Sequence, residues 1–202
     1  MPPLYVPLEG RFVRLEPFTP DLREAVREMM DCDTEGWSIM SSNGQDEHFA
    51  SWWGAAMAEQ SGIQRLPYAV RRLSDGAVVG TTSYMTLRPA NRGLEIGATF
   101  LHPDARSGPV NAESKRLLLE HAFAAGIVRV EFMVDVRNAR SQAAVAKLGA
   151  VREGVLRRHK ITWTGHIRDT AIFSITDLDW PGVRDGLDAR LAGFGRDSPV
   201  PS

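Results

Sequence analysis

Apolar and polar residues alternate most strictly between Val128 and Val136. Val128, Val130, Phe132, Val134 and Val136 point one way, and Arg129, Glu131, Met133, Asp135 and Arg137 the other, so the period of two predicts a half-buried strand. Gly93 to Leu101 alternates similarly, with Leu94, Ile96, Ala98 and Phe100 expected on one face and Glu95, Gly97, Thr99 and Leu101 on the other. Leu66–Leu73 and Val78–Tyr84 flank Ser74-Asp75-Gly76-Ala77, and an Asp-Gly turn between two β-rich runs predicts a hairpin. Further strands are expected at Arg11–Leu15, Val151–Thr162 and His166–Thr176, the last two joined by a turn at Thr164-Gly165.

Helical signals fall between these runs. Thr19-Pro20-Asp21 supplies an N-cap, a proline at the first helical position and an early acid, predicting a helix to about Met30. Asp46–Glu59 predicts a second, closed by Gly62, while Thr34–Gly44 reads as loop. Asn111–Ala125 carries Leu118/Ala122 and Leu119/Phe123 four apart and stops at Gly126. A short helix follows at Ala139–Leu148, ending at Gly149, and Asp179-Trp180-Pro181 opens the last; a frayed tail is expected from Gly193. The order is strand, two helices, three strands, helix, strand, helix, two strands. Helices alternating with strands after an antiparallel meander predict an α+β domain, a mixed sheet of about seven strands with helices on both faces.

With 202 residues, the chain suits one well-buried domain, here residues 1–202 with a core of about 10–191. Its 24 basic and 25 acidic residues leave a formal charge of −1, so no global field favours nucleic acid. The basic run Arg152, Arg157, Arg158, His159 and Lys160 reads as a solvated strand face. The one cysteine, Cys32, excludes an internal disulfide, and its neighbours Asp31 and Asp33 disfavour a thiolate. The five histidines, at 48, 102, 121, 159 and 166, share no ligand spacing, so no metal is expected. Met1 to Pro7 lacks a basic start and a long apolar core, and no apolar run reaches membrane-spanning length; the expectation is a cytoplasmic protein.

Chemistry concentrates at two junctions and one strand. At Arg106-Ser107-Gly108-Pro109-Val110-Asn111 a tight turn passes from strand into helix, aiming unpaired N–H groups and the positive helix end at one spot suited to phosphate. Ser107, Gly108, Val110 and Asn111 retain amides for that purpose, Pro109 does not, and Arg106 and Lys115 would add charge. Asn138-Ala139-Arg140-Ser141 opens the short helix, with Asn138 a good N-cap. Glu95 is a carboxylate between apolar neighbours, a position that either reaches solvent or is used. Trp52-Trp53 is expected to put one ring in the core and one at the surface or an acceptor groove. Arg168-Asp169 would pair locally, line the acceptor site or meet a second copy.

These motifs, together with Ala150-Val151-Arg152-Glu153-Gly154-Val155-Leu156-Arg157, resemble the GNAT superfamily of acyl-CoA-dependent N-acetyltransferases, in particular its RimJ/RimL-like branch, from about Gly10 to Leu191. The turn departs from the broad family pattern in Pro109 and Asn111. The resemblance implies acetyl-CoA as co-substrate and a primary amine as acceptor, a peptide amino terminus or a small molecule, with a homodimer open. It implies that the 106–111 turn binds the coenzyme A pyrophosphate, that Asn138 bonds the pantetheine arm, and that a backbone N–H near Phe100 or Leu101 steadies the oxyanion. Ser141 would assist the departing thiolate. Glu95 lies where the amine would approach and would act as base, with Asp135 or Asp169 or water as alternatives. A non-catalytic acyl-CoA-binding protein on the same fold is the competing expectation.

Overall fold

Eight strands pair in the order β1-β2-β3-β4-β5-β6-β8-β7 in the computed structural model, which describes residues 4–195. They are β1 (Leu8–Glu9), β2 (Val13–Pro17), β3 (Arg65–Arg72), β4 (Val78–Arg88), β5 (Gly93–Leu101), β6 (Arg129–Asp135), β7 (Val151–Ile161) and β8 (Ile167–Thr176). Six α-helices join them: α1 (Arg23–Met30), α2 (Thr34–Ser38), α3 (Phe49–Ser61), α4 (Pro109–Ala124), α5 (Ala139–Ala146) and α6 (Trp180–Ala192). Every neighbouring pair is antiparallel except β5 and β6, which run parallel because α4 crosses between them. The sheet gains the two-residue strand β1 over the expected seven, a segment too short to show a period.

Two apolar layers cover the sheet. On one face α4 and α6, with Val145 and Leu148 at the end of α5, bury Leu94, Ile96, Val130, Phe132 and Val134. On the other, α1 and α3 enclose an aromatic cluster of Phe18, Trp37, Phe49, Trp52, Trp53 and Phe100. Both tryptophans of the Trp52-Trp53 pair are buried, contrary to the expected split, because α3 is wedged into this cluster. Trp53 stacks on Phe18 at 4.7 Å between centroids, and Trp52 lies 6.1 Å from Phe49. The segment expected as loop holds α2, whose cap is Asp33 accepting from the Gly36 amide at 2.9 Å. A single 3-10 turn over Pro20–Leu22 precedes α1, and Thr19 makes no side-chain cap bond. Of the tail expected to fray, residues 196–202 lie outside the described residues, and α6 ends at Ala192.

The strand β5 keeps its expected limits but not its expected faces. Thr81 pairs with Phe100 and Ser83 with Gly97, so Ala98 and Thr99 both oppose Thr82, a β-bulge with Ala98 at φ 46°. One extra residue reverses the alternation beyond it. Leu94, Ile96, Thr99 and Leu101 face α4, whereas Glu95, Gly97 and Phe100 face the aromatic side. Phe100 therefore stacks on Trp37 at 4.2 Å instead of joining Leu94 and Ile96.

Lys115 explains how the bulge is held. Its side chain runs from α4 into the sheet, where Nζ donates to Thr82 Oγ1 at 2.9 Å and Thr99 Oγ1 at 2.6 Å. No carboxylate meets it, and burial pushes its ammonium down to about 7. Two residues earlier on α4, the buried Glu113 carboxylate accepts the Arg11, Phe12 and Val13 amides at 2.8, 2.6 and 2.8 Å, tying the β1–β2 turn to the helix. A Cβ on Gly10 would lie 2.5 Å from Glu113 Cδ, so a larger residue there would push the carboxylate off its three amides.

Two predictions follow from these buried charges. Glu113→Ala strands three amide donors and is expected to cost roughly 2–4 kcal/mol in urea unfolding; a loss under about 0.5 kcal/mol would contradict the tie. Unfolded, Lys115 holds its proton to about pH 10.4, and folded only to about 7. Between those values the unfolded chain binds the extra proton, so stability rises with pH by up to about 1.4 kcal/mol per unit. Lys115→Met should flatten that rise between pH 7 and 9. An identical pH dependence in both proteins would mean that Lys115 is not buried as described.

Candidate active site

The parallel pairing of β5 and β6 stops early. Gly93 pairs with Arg129, Leu94 with Val130 and Glu95 with Glu131, after which Ile96–Leu101 and Phe132–Asp135 part. A gap thus opens through the sheet, edged by backbone that has lost its ladder partner and can accept an extended ligand as an added strand.

Glu95 is the last paired residue of β5 and lies on the face away from α4. It is 5% exposed, and Thr86 Oγ1 donates to its Oε2 at 3.1 Å. Gly97 makes room for it: a Cβ there would sit 2.8 Å from Glu95 Oε1. Burial pushes the carboxyl above the usual carboxylate range; the Lys160 charge, the Thr86 hydrogen bond and the Arg168 charge offset this in part, and Glu131 adds to it. The other acids are committed elsewhere. Glu131 pairs with Arg88 at 2.8 Å and Arg129 at 2.9 Å. Asp135 pairs with Arg137 at 2.8 Å, and although burial favours its neutral form, bonds from the Arg137 side chain and amide outweigh that and hold it below the usual range. Asp169 accepts the Arg158 amide at 2.6 Å.

At the far end of β5 the chain enters α4. Pro109 is the first helical residue, two positions earlier than expected, so its missing N–H falls where an intrahelical partner would be lacking anyway. Ser107 adopts φ 66°, Gly108 occupies the cap position without a side-chain cap bond, and no acid lies in the first turn. A Cβ on Gly108 would meet nothing within 4 Å, so the turn is open. The Val110 and Asn111 amides belong to the first turn, whose N–H groups have no partner within the helix. The two basic residues expected to assist there are bonded within the protein. Lys115 points into the sheet, as described, and Arg106 donates through Nε and Nη2 to the Leu101 carbonyl at 3.0 and 2.7 Å and pairs with Asp33. Arg106 therefore fastens the end of β5 to α2.

Asn138 caps α5 where β6 ends, its Oδ1 accepting the Ser141 amide at 2.9 Å. Because α5 packs on the α4 side, its first turn with Ser141 and the Glu95 carboxylate lie on opposite faces of the sheet. Cys32 is half-buried, and burial pushes its thiol up, so it is not an activated nucleophile. Among the described residues no group of three or more His, Cys, Asp and Glu side chains is placed to hold a metal. No helix among them is long and apolar enough to cross a membrane.

The Glu95 face has a wall that sequence reasoning missed. Trp163, in the β7–β8 turn, donates its Nε1 to the Trp37 carbonyl at 3.0 Å and its amide to Ser41 O at 3.2 Å. Arg168 is buried beneath this contact, with Nε on Thr170 Oγ1 at 2.9 Å, Nη1 on Ser41 Oγ at 2.7 Å and Nη2 on the Met133 carbonyl at 3.0 Å. It does not pair with Asp169, since adjacent strand residues point to opposite faces. The exposed Trp163 beside a Thr-Gly turn was the signal available.

Comparison with known proteins agrees with this geometry. Residues 13–151 match the acetyltransferase (GNAT) domain family. The chain is 26% identical over 140 residues to the uncharacterized N-acetyltransferase YoaA of Bacillus subtilis, covering 69% of this chain and 77% of YoaA. A GCN5-related N-acetyltransferase from Brucella melitensis superposes with a TM-score of 0.86 at 27% identity, over 94% of this chain and 86% of that one. Mycobacterium smegmatis RimJ, in complex with CoA-disulfide, does so at 0.73 and 25% identity, over 92% and 93%. An α+β sheet whose central parallel pair splays beside an open helix terminus, with this family match along most of its length, makes the chain a member of the GNAT acetyltransferase family.

Proposed function

We propose that this enzyme transfers the acetyl group of acetyl-CoA to the free amino terminus of a peptide or protein by direct attack in a ternary complex. The observation that carries the reading is Glu95, a buried carboxylate with a raised pKa at the point where β5 and β6 part. The CoA-disulfide held by M. smegmatis RimJ supports the donor.

The pantetheine lies in the β5–β6 gap, its pyrophosphate at the Ser107–Asn111 turn, with Asn138 on the pantetheine arm. The amine arrives on the Glu95 face. Glu95, directly or through one water, takes the proton as the amine nitrogen attacks the thioester carbonyl, a role that a carboxyl shifted toward neutrality performs well. An N–H of β5 near Phe100 or Leu101 bonds the developing oxyanion, a contact worth about 3–4 kcal/mol in enzymes where one has been removed. The C–S bond then breaks, and Ser141 hydrogen-bonds the leaving thiolate while it recovers a proton. With Cys32 not activated, no covalent enzyme intermediate enters the scheme. An α-amino group, with a pKa of about 7.7–8.0 against about 10.4 for lysine, suits a base of this strength.

Glu95→Gln should leave acetyl-CoA binding intact, as read by thermal shift, while thiol release at pH 7 falls about 100-fold or more and recovers in part by pH 9. Full activity at pH 7 would remove Glu95 from the mechanism. Peptides with a small first residue and a free amino terminus should outpace the same peptides blocked at the terminus but bearing free lysines. Equal rates, or turnover of polyamines and aminoglycosides alone, would contradict the peptide acceptor.

A further inference from the structure

The Glu95 face carries more positive charge than its acids neutralise. Glu131, Glu153 and Asp135 form their ion pairs with Arg88, Arg129 and Arg137, and Asp135 reaches Arg168 only as a longer-range charge. Two cations remain beside Glu95. Arg168 is 6% exposed, yet its three hydrogen bonds go to neutral oxygens, and a guanidinium has five N–H donors. Lys160 stands directly opposite it in the β7–β8 register and is exposed. Among the described residues no carboxylate lies within ion-pair distance of either. Next to them β7 bulges between Leu156 and Lys160.

A buried cation whose acids, Asp135 and Glu95, reach it only through longer-range charge and make no ion pair with it gains from an anion that arrives with a ligand. Deepening the reading above, on which it rests, we propose that the acceptor carries an anionic group, a carboxylate or a phosphate, close to its amine, and that Lys160 and Arg168 recognise it. The His159 imidazole reports the same field: burial pushes it down, and the Lys160 and Arg168 charges push it further. An acceptor of this kind brings its amine to Glu95 and its anion to Lys160 and Arg168. A polycation would meet like charge at both.

The test uses the intact enzyme with acetyl-CoA and acceptors of matched size. One arm compares peptides identical except for aspartate, phosphoserine, asparagine or lysine after the first residue; the other compares O-phosphoserine, aspartate, serine and spermidine. Acidic acceptors should exceed neutral ones by about tenfold in kcat/KM, mainly through KM, with lysine-bearing ones lower still. Lys160→Met should remove most of that preference while leaving the KM for acetyl-CoA unchanged, and Lys160→Arg should keep it. Aspartate against phosphoserine separates the two anion chemistries. If only the small amines react, the peptide reading falls, and the phosphoserine-to-serine ratio still decides this proposal. Equal or better turnover of neutral or cationic acceptors, a preference that survives Lys160→Met, or no turnover across the panel would overturn it.

Discussion

The pairing of β5 with β6 ends after Glu95, and the rest of the molecule is organised around keeping that separation open. Two central strands of a sheet would ordinarily zip along their whole length, because unpaired backbone away from water is costly. The bulge at Ala98 turns β5 away from its neighbour. It places a residue bearing a Cβ in the left-handed region, at a cost of about 1–2 kcal/mol. The hydroxyls of Thr82 and Thr99 gathered around Lys115 hold it there, and Arg106 fastens the end of the strand to α2. A buried lysine without a counter-ion is itself unfavourable. The domain thus sets two local costs against a large apolar core in order to keep a gap.

The same bulge assigns the two sides of that gap different chemistry. By reversing the alternation, it places Thr99 with Lys115 on the helix side and Phe100 on Trp37 on the aromatic side. The helix side presents the Ser107–Asn111 turn and Ser141, groups suited to a phosphate and a thiolate. The aromatic side presents Glu95 under a wall made by α2 and the β7–β8 turn, which Trp163 and Arg168 knit together. In the proposed scheme, donor and acceptor meet from opposite faces without competing for space.

Much of this was legible from sequence because it depends on short-range pattern. The limits of β5, the Asp-Gly hairpin, the α4 junction and the Asn138 cap each follow from residues adjacent in the chain. What escaped depends on residues far apart. Gly-Leu-Glu-Ile-Gly-Ala-Thr-Phe-Leu alternates without a break, so nothing local shows that Thr82 opposes two residues; the small pair Gly97-Ala98 is the only trace. Lys115 reads as a phosphate ligand by its nearness to the turn, yet six positions past Pro109 it lies on the inward side of α4. The burial of both Trp52 and Trp53 depends on Phe18 and Phe49 from other segments. Glu95 stood out in sequence as a carboxylate among apolar residues, whereas for Arg168 the sequence left three roles open, because its partners come from Ser41 after α2, from β6 and from β8.

The claim that the splayed strands receive the donor is tested most directly by amide hydrogen exchange with and without coenzyme A. The account predicts slower exchange in Gly97–Leu101 and Ser107–Asn111 on binding, with the already paired Arg129–Glu131 unchanged. Protection confined to the β7 edge, or no protection along β5 at saturating ligand, would contradict it.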